Sequence, residues 1–134
     1  MSSKEHIVNT QYYKYIRRFL EHNKISVNDH CLVVCGGQLD YQVFLALGFK
    51  KILITNLADS NENYPYERQD AMCLSYQDAQ FDNVIVHAGL HHCSSPHRAL
   101  TEMYRVAKKN VIVFEAQDTL LVKLFVKLGF VEQY

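Results

Sequence analysis

Two features of this sequence have the residue types and spacing to do chemistry. The first is a crowd of titratable side chains: His87, His91, His92, Cys93 and His97. Imidazole titrates near neutral pH, so His91 or His92 is a candidate general base facing a substrate pocket. The competing reading leaves His92 packed in a loop and His97 in the first turn of a helix. His87 and His91 are four apart, a spacing that can ligate metal from one helix face. Val84, Ile85 and Val86 read as strand, however, Gly89 breaks a helix, and no second ligand pair stands at zinc-like spacing. No metal site is expected.

The second feature is Gly36-Gly37, at the end of the apolar run Leu32-Val33-Val34-Cys35. Glycine has no Cβ, so paired glycines let backbone come close to a ligand. A helix starting there aims its free N–H groups at the same place. The combination suits a nucleotide-like cofactor; the plainer alternative is a tight strand-to-helix turn. Cys35 sits where a helix start lowers a thiol pKa, but no substrate logic follows and packing is expected of it. No Ser-His-Asp or Cys-His set is readable. Glu115 and Asp118 follow an apolar run at the ligand end of a sheet. A solvated loop, or Asp118 as a helix N-cap, is the simpler expectation for them.

These groups need a frame. Residues 31–48 read as strand, glycine turn and helix, and residues 51–55 as a second strand stopping at Asn56. That makes about 30 residues, the size of a βαβ crossover. Ahead of it, residues 4–23 read as one amphipathic helix with Ile7, Tyr12, Tyr15, Ile16, Phe19 and Leu20 on its apolar side. Residues 57–69 are polar, contain Pro65 and read as loop, with residues 71–74 as a short third strand or extended segment. Residues 83–87 form a buried strand. Ser95 and Pro96 start a helix over 96–107, with Leu100, Met103, Tyr104 and Ala107 inward. Glu102 and Arg105 are expected to pair on its surface. Residues 110–114 are the next strand, and Leu120, Leu121, Leu124, Phe125 and Leu128 mark a last helix. Alternating helices and continuous apolar strands predict an α/β fold on a mostly parallel sheet.

Composition narrows the function. The 134 residues suit a single domain over 1–134, and the 49% hydrophobic fraction supports a core. Fourteen basic and fourteen acidic residues cancel, so no basic field argues for nucleic acid or an anionic membrane. No apolar run of about 20 residues spans a bilayer, and residues 1–19 lack a signal peptide's apolar core. A cytoplasmic setting is expected. Four scattered cysteines, Cys31, Cys35, Cys73 and Cys93, read as reduced thiols. Cys31 and Cys35, four apart in a strand-like run, are expected on one side of the sheet.

Three stretches together resemble the class I S-adenosylmethionine (SAM)-dependent methyltransferases, specifically the type 11 subgroup. Leu32-Val33-Val34-Cys35-Gly36-Gly37-Gln38-Leu39 lies where that family has its glycine-rich first motif. Asp70-Ala71, then Gln80-Phe81-Asp82-Asn83-Val84-Ile85, matches the acid after the third strand and the entry to the fourth. Gly89-Leu90-His91-His92, Pro96, Ala99-Leu100, Glu102 and Arg105-Val106 match a longer and more specific run. The resemblance implies a Rossmann-like open parallel sheet of order 3-2-1-4-5 with helices on both faces. It implies SAM as cofactor and methyl transfer, with a small-molecule acceptor as partner. By position it implies that Cys35, Gly36, Gly37 and Leu39 pack on the methionine part of SAM and that Asn56 and Leu57 meet the ribose. It further implies that Asp70 and Ala71 meet the adenine and that His87 and Ala88 line the cofactor.

The sequence departs from the family at named places. An acid usually stands where Val33 is, glycines where Cys35 and Leu39 are, and an acid where Asn56 is. Those departures keep open a second reading, a catalytically worn SAM-binding or protein-interaction module. They also predict that Asn56→Asp tightens SAM binding by about 1 kcal/mol, because a charged acceptor makes the stronger bond. A nicotinamide oxidoreductase would need G-x-G-x-x-G and an acid about 20 residues on, and neither is here. The family's sheet normally continues past the fifth strand into a strand hairpin. This sequence reaches Tyr134 soon after Gly129-Phe130-Val131. A missing hairpin, a C-terminally truncated chain, or a homo-oligomer formed through the exposed strand-five edge is therefore expected.

Overall fold

The structure is a computed structural model and describes residues 3–61 and 63–115. Helices α1 (Ser3–Asn9) and α2 (Gln11–His22) precede β1 (His30–Val34), α3 (Gln38–Ala46), β2 (Lys51–Asn56) and β3 (Tyr66–Arg68). Strand β4 (Phe81–His87), a 3₁₀ turn (Leu90–His92), α4 (Pro96–Val106) and β5 (Ala107–Phe114) follow. The strands lie in the order β3-β2-β1-β4-β5, and every neighbouring pair is parallel. This is the Rossmann-like sheet implied by the sequence. Among the described residues β5 is an outermost strand. The expected helix over residues 120–128 and any pairing by residues 130–134 lie outside the described residues.

Central strands need apolar residues on both faces, and β1 and β4 supply them. Cys31, Leu32, Val33, Val34, Val84, Ile85 and Val86 are all at most 1% exposed. Alternate residues feed two cores. Leu32, Val34, Val84 and Val86 meet Ala99, Leu100, Met103 and Val106 of α4. Cys31, Val33 and Ile85 meet Ile16 and Leu20 of α2 and Val43 and Phe44 of α3. Each such aliphatic side chain contributes about 1.5–3 kcal/mol when fully buried.

Several expectations are corrected. The N-terminal helix is two helices, because Thr10 accepts a hydrogen bond from the Tyr13 N–H (3.2 Å) and so caps α2. Tyr15 and Tyr104 face solvent rather than the core. The third strand is Tyr66–Arg68, inside the stretch read as loop; residues 70–73 instead form a turn closed by the Cys73 N–H to the Asp70 carbonyl (2.9 Å). Ala107 opens β5 rather than closing α4. Cys31 and Cys35 fall on opposite faces. Cys35 lies past the end of β1 at φ 55°, so strand alternation no longer governs it.

Polar side chains knit the amino end of the sheet. Asn83 is wholly buried; its amide donates to Asp29 Oδ2 (3.0 Å), and its Oδ1 accepts from the Asn110 amide (2.7 Å). Lys109 Nζ reaches Asp29 Oδ1 (2.7 Å) and Asp82 Oδ1 (3.3 Å). Asp82 Oδ2 accepts the His30 N–H (2.9 Å), which opens β1. That bond, with Lys109 beside it, holds the Asp82 carboxyl below its ordinary range. The Phe81-Asp82 motif thus tethers strands at the end away from the glycine turn. Glu102 and Arg105 also do more than pair on a surface. Arg105 is bidentate to Glu102 (both 2.8 Å) and donates to the Leu74 and Tyr76 carbonyls (2.8 and 2.7 Å), clamping the chain that follows β3.

Candidate cofactor cleft

All five strands point their carboxyl ends the same way, and the loops leaving them build the site. After β1 the chain turns through Cys35, which takes a left-handed φ of 55°, and Gly36. The two glycines have different reasons to be glycine. A Cβ on Gly36 would lie 2.8 Å from Val33 Cγ1 and 3.1 Å from Ile54 Cγ2, so Gly36 is small because the core is close. A Cβ on Gly37 would meet nothing within 4 Å. Space beside the turn is therefore open at Gly37. The Gly37 N–H is held by Asp40 Oδ2 (2.8 Å) at the start of α3.

Asn56 ends β2 and ties it to the turn. Its Nδ2 donates to the Gly36 carbonyl (3.0 Å), and its Oδ1 accepts the Leu57 N–H (2.8 Å). One Oδ1 lone pair remains for a ligand hydroxyl. An aspartate here would set carboxylate oxygen against the Gly36 carbonyl oxygen. Asn56→Asp is therefore expected to weaken this corner, not to tighten binding. Beyond β3, Gln69 N–H bonds the Asn56 carbonyl (2.9 Å), and Asp70 Oδ1 accepts the Met72 N–H (2.9 Å).

Those segments enclose a cleft of about 480 Å³ lined by Cys35, Asn56, Leu57, Ala58, Gln69, Asp70, Ala71, His92 and Cys93. Of the residues singled out in the sequence, it brings together Cys35, Asn56, Leu57, Asp70, Ala71 and His92. It does not bring in Gly36, Gly37, Leu39, His87, Ala88 or His91. Leu39 is 43% exposed in the first turn of α3. Ala88, at φ 50°, bonds its N–H to the Phe114 carbonyl (2.7 Å) and prolongs the β4–β5 ladder. Cys93 of the titratable cluster also lines the cleft, and Ala58 and Gln69, which were not singled out, flank the predicted positions Leu57 and Asp70. The volume suits a cofactor-sized ligand.

His87 belongs to a half-buried knot with Tyr12 and Asp40. Its ring stacks on Tyr12 of α2 (centroids 3.6 Å apart, 10° between planes), and its Nδ1 is 3.5 Å from Asp40 Oδ1. The Tyr12 hydroxyl donates to the same oxygen (2.7 Å). Burial, reinforced by Asp40, pushes the Tyr12 pKa far above its ordinary value. The knot fastens α2 over the turn.

His91 is oriented by Glu115. Glu115 is not in a solvated loop: its side chain is 1% exposed, Oε1 accepts the Leu90 N–H (2.7 Å), and Oε2 lies 2.9 Å from His91 Nδ1. A carboxylate there accepts a hydrogen bond from Nδ1–H and leaves the His91 Nε2 lone pair free as the base. The His91 ring is 4.0 Å from that of His92, which reaches the cleft. Sequence reading missed the pair, since its members are 24 residues apart. Among the described residues, no three His, Cys, Asp or Glu side chains converge as metal ligands. Cys35 is not activated by the helix start: burial pushes its thiol up to about 12. Among the described residues, no helix is long and apolar enough to cross a membrane.

Comparison with known proteins puts this geometry in context. A family model described as a methyltransferase domain, of the type 11 group, matches residues 42–114. The match begins inside α3, after the glycine turn. No curated protein matches the sequence significantly. Among solved structures, the YcgJ protein of Bacillus subtilis superposes with a TM-score of 0.63 at 17% identity, covering 87% of this chain and 56% of its own. A SAM-dependent methyltransferase of Thermotoga maritima gives 0.55 at 20% identity, covering 91% and 67%. The trans-methyltransferase CalH, solved with SAH, gives 0.58 at 12% identity, covering 84% and 42%. The chain thus spans little more than half of the Bacillus protein. At these identities the likeness is one of fold.

Proposed function

The chain belongs to the type 11 methyltransferase-domain family of class I enzymes, and from that premise we propose that it binds SAM in the cleft and transfers its methyl group to a small-molecule acceptor. One observation carries the proposal. The loops after β1, β2 and β3, which the family uses for the cofactor, line one cleft of about 480 Å³ with Cys35, Asn56, Leu57, Asp70 and Ala71 on its walls. The residues present fit the cofactor: open space at Gly37, an acceptor oxygen on Asn56 and the Asp70 carboxylate. When bound, SAM supplies an electrophilic methyl group on a sulfonium.

The chain's own residues position and deprotonate. Asn56 and Leu57 would hold hydroxyls. Asp70 and Ala71 would hold the base edge. Methyl transfer is an in-line displacement, so alignment supplies much of the acceleration. His91, with Nδ1 held by Glu115, would accept the acceptor's proton at Nε2, and His92 would line its path.

A second reading, a worn SAM-binding or interaction module, is favoured by one specific finding: the family match starts past the glycine turn, where Cys35 and Leu39 stand in glycine positions. Calorimetric titration with SAM and with its demethylated product, together with label transfer from SAM to a phenol, amine and thiol panel, separates the two. Binding with transfer supports the enzyme, and binding without transfer supports the module. No binding of either ligand overturns the enzyme and the SAM-binding module and favours the interaction module.

A further inference from the structure

We propose that Cys35 and Cys93 form a redox-sensitive pair at the cleft wall, which a low-molecular-weight disulfide such as oxidised glutathione converts to an intramolecular disulfide that closes the cleft. The closing effect rests on the cofactor reading above; the bond itself does not.

The two cysteines are 58 residues apart in sequence, yet their sulfurs lie 4.0 Å apart, in thiol–thiol contact. Both are free, and both line the cleft. Disulfide formation needs the sulfurs to close to about 2.05 Å, a change that side-chain rotation and a small loop shift can supply. Two backbone features bring them together. Cys35 is held at φ 55° just past β1, which turns its side chain away from the face that Cys31 occupies. On the facing loop, a Cβ on Gly89 would stand 2.5 Å from Cys35 Cβ. Only glycine lets the loop after β4 come this close, and Cys93 follows on that loop.

The other cysteines have no such partner geometry. Cys31 is fully buried in β1, and Cys73 is exposed. Burial raises the pKa of both Cys35 and Cys93, so the pair should react slowly compared with an exposed thiol.

The chemistry balances. The Cys93 thiolate attacks one sulfur of oxidised glutathione, forming a mixed disulfide and expelling one glutathione thiolate. The Cys35 thiolate then attacks Cys93 Sγ and expels the second. Two thiol protons pass to the two released thiolates, and two electrons pass to the oxidant. The new bond joins the loops after β1 and β4 through two residues that line the cleft together with Asn56 and Asp70.

The test equilibrates the whole chain in graded mixtures of oxidised and reduced glutathione, quenches it with an alkylating agent and maps cysteines by mass spectrometry. The expected result is a peptide pair linked through Cys35 and Cys93 and lighter by two hydrogens, appearing after Cys73 has become glutathionylated and reversed by dithiothreitol. Cys35 and Cys93 found alkylated or separately glutathionylated, while Cys73 is fully modified, would overturn the pair. SAM titration of the same samples decides the consequence. Oxidation should weaken SAM binding by about tenfold or more, and Cys93→Ser, whatever its own affinity, should show no difference between oxidised and reduced samples. A linked chain that binds SAM unchanged overturns the closing effect. If the reduced chain fails to bind SAM, the cofactor reading falls, and the mass map still decides the bond.

Discussion

At the amino end of the sheet Asp29, Asp82, Asn83, Lys109 and Asn110 spend their polar atoms on one another and on strand backbone. At the carboxyl end Asn56, Asp70 and His92 line an open cleft. Both ends carry motif residues of the same family. The difference teaches that the Phe81-Asp82 and Glu102…Arg105 matches report the fold, whereas the loops after β1, β2 and β3 line the cleft to which we assign the cofactor.

The sharpest way to break the comparison is at the buried amide. Asn83→Ala strips Asp29 and Asn110 of a partner and should destabilise the chain by about 3 kcal/mol. Denaturant unfolding reads this. SAM affinity of the folded variant should be unchanged. At the other end His91→Ala should slow methyl transfer by about 100-fold, the lower range for a lost general base. Glu115→Gln should slow it less and displace the pH–rate profile, since the amide no longer fixes the His91 tautomer. Transfer rates on whichever panel acceptor takes up label, measured against pH, check both.

The glycine pair sets the two kinds of constraint side by side. Gly36→Ala pushes a Cβ into Val33 and Ile54 and should cost about 2 kcal/mol of stability by overpacking. Gly37→Val meets open space. It should cost less than about 1 kcal/mol yet weaken SAM binding, because the cofactor reading carries the ligand beyond the cleft lining and over the turn at Gly37. Thermal unfolding and calorimetry on both variants separate them.

The smallest effect is on acid stability. Hydrogen bonds from the His30 N–H to Asp82 and from Arg105 to Glu102 depress these two carboxyls. A depressed carboxyl stabilises the fold above its unfolded pKa, about 3.9 for Asp and 4.3 for Glu, and that stability is lost as pH falls through the folded value. Asp82→Asn and Glu102→Gln should therefore be less stable than the parent near neutrality and converge with it below about pH 4. Both groups are partly exposed, so salt should shrink the gap.

The sheet was legible because its strands advertise themselves. Residues 31–34, 52–54, 84–86 and 111–114 are continuous apolar, β-branched runs, and their burial on both faces allows no other frame. β3 was not legible: Tyr66–Arg68 is three residues long with two charged side chains, so its pairing with Ile54, Thr55 and Asn56 leaves no apolar run to read. The break at Thr10 was readable in principle, since threonine is a good N-cap, but the apolar pattern ran through it. In the site, residues beside strand ends could be placed by register. Asn56's bond to Gly36, Glu115's hold on His91 and the Cys35–Cys93 contact join residues 20, 24 and 58 apart, and spacing along a chain says nothing of such meetings.

Hydrogen exchange with and without SAM tests the central claim most directly, because it reads both ends of the sheet in one experiment. The cofactor reading predicts added protection at residues 35–37, 56–58 and 69–71, with none at 29–30, 82–83 and 109–110. No change at the carboxyl end under saturating SAM, or protection appearing at the amino end instead, would contradict it.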